Sequence, residues 1–221
     1  MPPSLYIPVD VRAVHDLHRP MFLANWWEEP VGGLLKRHAE SLWAAYRAGN
    51  PLSAIEIRNH APVFAQSGAG HILEAELSRG QIEDVVARNW GYRDGADAEE
   101  DAAVMPNAVF EDAVETLLAG NERRLAELLE QVPELATARS PFGHRFTLLH
   151  YAGSNGCELI RQIVPHNLPA LIRILREAGA NPEATVAVYG AEYRPAELLA
   201  TSAHPRDAGV MEEALAALRS A

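Results

Sequence analysis

Glycine ends one helical stripe after another in this sequence. Leu34, Leu35, His38, Leu42, Ala45 and Tyr46 recur at three- and four-residue steps and stop at Gly49-Asn50. The stretch 110–119 closes at Gly120-Asn121 before 122–131 begins; 148–155 stops at Gly156 and 168–178 at Gly179. Segment 195–201 then pairs with 209–218. Ile82, Val85, Val86 and Trp90 mark the buried side of a helix over 82–90, and Pro51 opens a short one. Apolar/polar alternation of useful length is absent, so the pattern predicts an all-α fold. Helix pairs with glycine stops at nearly regular spacing also predict an internal repeat.

Residues 1–32 read differently. Pro2, Pro3, Pro8, Pro20 and Pro30 interrupt helix formation, and Tyr6, Phe22, Trp26 and Trp27 are more aromatic surface than an idle tail carries. An extended arm is expected, with one short helix around 10–18, packed back onto the body. Five acids in the eight residues 94–101 predict a solvated linker and a boundary, and the ligand order of an EF-hand is missing from them. The chain thus divides into an arm (1–32), a helical cap (33–101) and a repeat region (102–221).

Charge and cysteine usage narrow the function. The 19 Lys+Arg against 30 Asp+Glu give a formal net charge of -11, which repels phosphate backbones and anionic lipid. No nucleic acid and no membrane are therefore expected as partners. Cys157 is the single cysteine, so neither a disulfide nor a Cys-based zinc site is expected. With no apolar run near the ~20 residues of a membrane span and no signal-like N-terminus, a cytoplasmic protein is expected.

The repeat has a recognisable opening. Thr147-Leu148-Leu149-His150-Tyr151-Ala152 follows T-P-L-H-x-A, the start of an ankyrin repeat, with Leu148 in place of proline. Residues 172–184 look like the second helix and the next finger, and 194–200 is a degenerate copy of the opening. Gly120-Asn121 with Leu125, Leu128 and Leu129 reads as an earlier unit. On these residues the chain resembles bacterial ankyrin-repeat proteins with a helical N-terminal segment. Ala87-Arg88-Asn89-Trp90-Gly91-Tyr92, Tyr189-Gly190 and Thr201-Ser202-Ala203-His204-Pro205 are similar to further elements of that family. The resemblance implies an ankyrin-like helical solenoid of about three degenerate repeats, capped by the N-terminal segment, and protein binding without a settled activity. It also implies structural roles for Thr147, Leu149, His150, Ala152, Gly156 and Gly179.

The chemistry-bearing residues support two readings. In the first, the concave face and the fingers around 140–145 and 184–194 bind a protein partner without catalysis. In the second, a pocket where cap and repeats meet binds a small molecule or houses unconventional catalysis. Trp26, Trp27, Trp90, Tyr151, Tyr189, Tyr193, Thr201 and His204 are its candidate residues. No catalytic residue and no cofactor is assigned. His15-x-x-His18 has ligand spacing but no accompanying motif, so no metal is assigned. Val210, Met211, Leu215 and Leu218 of the last helix have no capping repeat after them, which suggests a homodimer through that face.

Overall fold

Helices account for most of the described backbone because caps and glycine stops agree with the apolar stripes. The computed structural model describes residues 4–21, 26–153, 155, 157–188 and 190–219. Tyr189 and Gly156, assigned above, lie outside the described residues, as does Phe22 of the arm. Among the described residues the helices are α1 Val9–His18, α2 Val31–Arg47, α3 Ser53–His60, α4 Ala69–Glu74, α5 Arg79–Asn89, α6 Gly95–Glu99, α7 Ala108–Leu118 and α8 Glu122–Gln131. They continue with α9 Leu148–Tyr151, α10 Leu168–Glu177, α11 Pro195–Thr201, α12 Ala203–Asp207 and α13 Met211–Arg219. Four short strands accompany them: β1 Leu5–Tyr6, β2 Val164–Pro165, β3 Val186–Val188 and β4 Ala191–Tyr193. No helix among the described residues is long and apolar enough to cross a membrane.

Local chemistry sets the helix ends. Ser78 and Gln81 form a capping box at α5, and the Asn107 and Asn121 side chains accept backbone N–H groups at the starts of α7 and α8. Gly179, at φ 94, closes α10: its N–H donates to Arg176, and the next N–H, of Ala180, donates to Leu175. The acidic tract departs from the linker expected of it. Asp94 caps α6, Arg93 pairs with Asp97, and Ala98 is buried, so the carboxylates sit on a short folded helix. The helix expected over 148–155 is also shorter, ending at Tyr151 with turns at Ala152 and Gly153.

Two apolar cores result. The first is built from residues of 11–98, among them Leu34, Leu42, Ile57, Ile72, Ile82 and Trp90, and takes in Phe142, Leu159 and Ile160 from far along the chain. The second runs from Phe110 to Leu218. In the C-terminal part, α9 packs between α7 and α11, and α10 packs between α8 and α13. β3 and β4 form an antiparallel hairpin in front of α11. The arm is built into the body: Leu5 and Tyr6 pair with Pro165 and Val164, and α1 lies against α2, α3 and the 3-10 turn Leu159–Arg161.

Candidate functional site

The two cores meet through a wedge of aromatic rings. Phe142 lies 4.3 Å from the Trp90 ring and 6.4 Å from Trp26, and Trp26 is 5.6 Å from Trp90. The Arg161 guanidinium covers the Trp26 ring at 4.7 Å. Close approach is possible because Gly91, at φ 85, faces Gly143: a Cβ on Gly143 would sit 2.7 Å from Gly91 backbone atoms. The expected aromatic-lined cavity is therefore filled. Trp90 is fully buried, Trp26 is 8% exposed, and Trp27 stacks edge-on against Trp26.

Beneath the wedge lie two buried carboxylates. Glu56 accepts from Asn89 Nδ2 and stands 2.8 Å from the Nε2 atoms of His18 and His38. Burial opposes its charge, but the two imidazoles outweigh burial and hold the carboxyl well below its ordinary pKa. Glu158 accepts from His144 and Tyr151 on one oxygen and from Arg161 on the other, at 2.8, 3.0 and 3.0 Å. Burial again works upward, and Arg161 with His144 brings the net shift below the ordinary value. Asn89 joins the two sites: its side chain donates to Glu56 and accepts from the Leu159 N–H, while its carbonyl accepts from the Glu158 N–H. Glu158 itself sits at φ 53, a left-handed conformation that costs a non-glycine residue about 1–2 kcal/mol.

Arg161 also reaches Glu111 at 2.7 Å and Glu115 at 2.9 Å. One buried cation thus faces three carboxylates. Burial, which Arg161 only partly offsets, raises Glu111 to about 7, so Glu111 gains a proton more easily than Glu158.

His18, His38 and Glu56 bring ligand atoms within 4.8 Å of one another. Their hydrogen bonding does not suit a metal. The Trp90 indole N–H can only donate, and it donates to His38 Nδ1 at 3.0 Å. Burial keeps His38 neutral, so its one proton sits on Nε2, facing Glu56, and that nitrogen has no lone pair for a cation. His15, which shares ligand spacing with His18 in the sequence, turns away to the Ile160 carbonyl.

The open space lies beside this network. A cleft of about 740 Å³ separates the ends of α3 and α5 from the β3–β4 hairpin, with Arg58, His60, Arg88, Tyr92, Cys157 and Val188 among its walls. A smaller pocket of about 230 Å³ shares Asn59 and His60 with it and adds Asp10, Gln162 and His204. His60 is 6% exposed, and its Nε2 has no hydrogen-bond partner among the described residues. Burial lowers it to about 4, so the ring is neutral at pH 7. Burial likewise pushes the Cys157 thiol far up, leaving it protonated.

The remaining expected residues are scattered around this junction. His204 lines the smaller pocket and lies 3.0 Å from Gln162 Oε1. The Thr201 hydroxyl donates to the Glu197 carbonyl and receives the Asn155 side chain, so it serves its own helix end. Tyr151 is buried on Glu158, and Tyr193 is half-buried in β4. His150 accepts the Thr147 N–H on Nδ1 within α9's first turn, and Leu149 and Ala152 are buried beside it. The finger at 140–145 is turned inward, with Ser140, Phe142 and His144 buried rather than offered to a partner. Met211, Leu215 and Leu218 are buried against the chain's own helices, with Val210 8% exposed, so the face expected to seek a twin is already covered. Reading the sequence missed Glu56, Asn89, Glu111, Glu158 and Arg161. The available signal was an acid on an apolar helix face, as in Phe110-Glu111 followed by Ala113 and Val114, and the Glu158/Arg161 pair flanking Leu159 and Ile160. No family model matches the chain, and no curated protein or solved structure matches it.

Proposed function

We propose that residues 108–219 form an ankyrin-type stack of about three degenerate repeats, and that the chain is a binding protein for a small molecule. The order of packing supports the stack: α7, α9 and α11 make one row, α8, α10 and α13 the other, and β3–β4 stands where a long finger belongs. The cleft carries the ligand reading. Its volume falls in the usual range of about 300–1,000 Å³ for small-molecule sites, and it opens where two cores meet. The N-terminal unit, through Trp26, Trp90 and Gly91, covers the inward-turned finger that a protein partner would otherwise contact.

A protein partner retains one favourable observation, the exposed hairpin residues Ala187, Gly190, Ala191 and Glu192. A thermal-shift screen of small metabolites separates the readings. Ligands that stabilise the wild type should lose their effect in Ala191→Trp, which projects bulk from an exposed strand position into the cleft. Absence of any stabilising small molecule would remove the ligand reading.

A further inference from the structure

We infer that the cleft takes a small monocarboxylate with an apolar body, its carboxylate held at Arg58 and Arg88 beside His60. The inference rests on the ligand-binding reading above and adds the chemical class of the ligand. Arg58 and Arg88 come from two packed helices, α3 and α5, and line the same cleft. Neither is committed to its acidic neighbour. Arg58 touches Asp10 through a single 3.4 Å contact; Arg88 is 3.9 Å from Asp84, beyond hydrogen-bond reach, and its Nε donates to the Arg93 carbonyl at 3.0 Å, which leaves its terminal nitrogens for a ligand. Their side chains are 36% and 34% exposed, a setting in which ion pairs contribute little. Turning their remaining N–H groups onto a ligand carboxylate therefore sacrifices little. A guanidinium presents those donors in the fork geometry that a carboxylate matches.

His60 adds an independent pointer. It is a buried imidazole in the cleft wall whose Nε2, unpartnered among the described residues, is closed to solvent, so the nitrogen meets a ligand once the ring turns toward the cleft. Burial keeps it neutral against the pull of the Glu56 carboxylate, with Arg88 acting in the same direction as burial, so the charge that meets an incoming anion is that of the two arginines. Apart from Asn59, Tyr92, Arg93 and Glu192, the remaining wall is apolar or small, with Pro62, Ala65, Val188 and the protonated Cys157 thiol forming its apolar part. That surface suits a hydrocarbon or aromatic body. A dianion fits poorly, because Glu192 stands on the facing hairpin and the chain as a whole carries -11.

Equilibrium dialysis of the full chain tests this with octanoate and phenylacetate, their uncharged amides, and inorganic phosphate. The acids should bind at least about tenfold more tightly than the amides, the equivalent of about 1.4 kcal/mol. A double variant, Arg58→Gln with Arg88→Gln, should lose that preference, and Ala191→Trp should abolish binding of acid and amide alike. Amides that bind as well as acids, blocked by Ala191→Trp, would overturn the carboxylate assignment and leave the ligand cleft standing. Phosphate that competes as well as the acids would overturn the apolar-body half of the assignment. If no probe binds, or if acid binding is untouched by Ala191→Trp, the carboxylate assignment falls. Only the thermal-shift screen above then decides whether the cleft binds anything else. Circular dichroism melts of each variant, matching the wild type, establish that lost binding is not lost folding.

Discussion

Arg161 is the side chain on which the buried network depends. Removing it leaves Glu158 and Glu111 without their cation, and breaking a buried pair typically costs about 3–5 kcal/mol; Arg161→Met should therefore lower the urea midpoint sharply. Replacing Gly91 by Ala should cost at least about 2 kcal/mol, from the left-handed φ together with overlap on the His144 backbone. Wild-type stability in that variant would contradict the close packing of Gly91 on 143–144. The pH dependence has two opposing parts. His60 and His150, lowered by burial to about 4, contribute stability that is complete above 6.5 and lost as pH falls through 4. Glu111, raised to about 7, contributes stability that is present below 4.5 and lost as pH rises through 7. Urea midpoints measured across this span should fall on the acid side, and Glu111→Gln should remove the loss approaching 7. His150 was marked by the repeat opening, but His60 and Glu111 were not legible beforehand, because the burial of a lone acid or imidazole is decided by segments far away in sequence.

At the scale of elements, what could be read locally was read well. Helix caps and glycine stops involve neighbours three or four residues apart, and α2, α5, α7, α8 and α10 lie where the apolar stripes put them. Errors arose where distant contacts decide. The tract 94–101 carries too much charge to suggest a helix, but Asp94 caps it and Tyr92 and Arg145 both reach Asp101. The helix opened by Thr147 stops after Tyr151, and the chain then turns into the segment that brings Glu158 to Asn89. Pairing of β1 with β2 joins residues about 160 positions apart, and nothing in a two-residue strand announces a partner. Deleting residues 1–8 should strip this pairing and loosen α1 from the turn at 159–161. Hydrogen exchange should then show faster exchange at His166, whose N–H donates to the Ser4 carbonyl; unchanged protection there would speak against the arm's part in the fold.

Across the whole molecule, the cap and repeat regions share material. Phe142, Leu159 and Ile160 complete the N-terminal core, and Asn89 satisfies backbone groups of the segment beyond Cys157. Separate chains of 1–105 and 106–221 should accordingly fail to fold alone; two cooperative transitions, one for each fragment, would show otherwise. The site is likewise visible only at this scale, because its walls come from α3, α5 and a hairpin some 100 residues later. The shared core also sets a timetable for synthesis. By the time residue 98 has been added, the first core still lacks three of its apolar side chains. At ~5–20 residues per second, the ribosome needs several more seconds to deliver Ile160. Throughout that interval Trp26, Trp90 and their neighbours remain uncovered on the nascent chain, which makes translation speed between residues 98 and 165 a determinant of how much protein reaches its folded state.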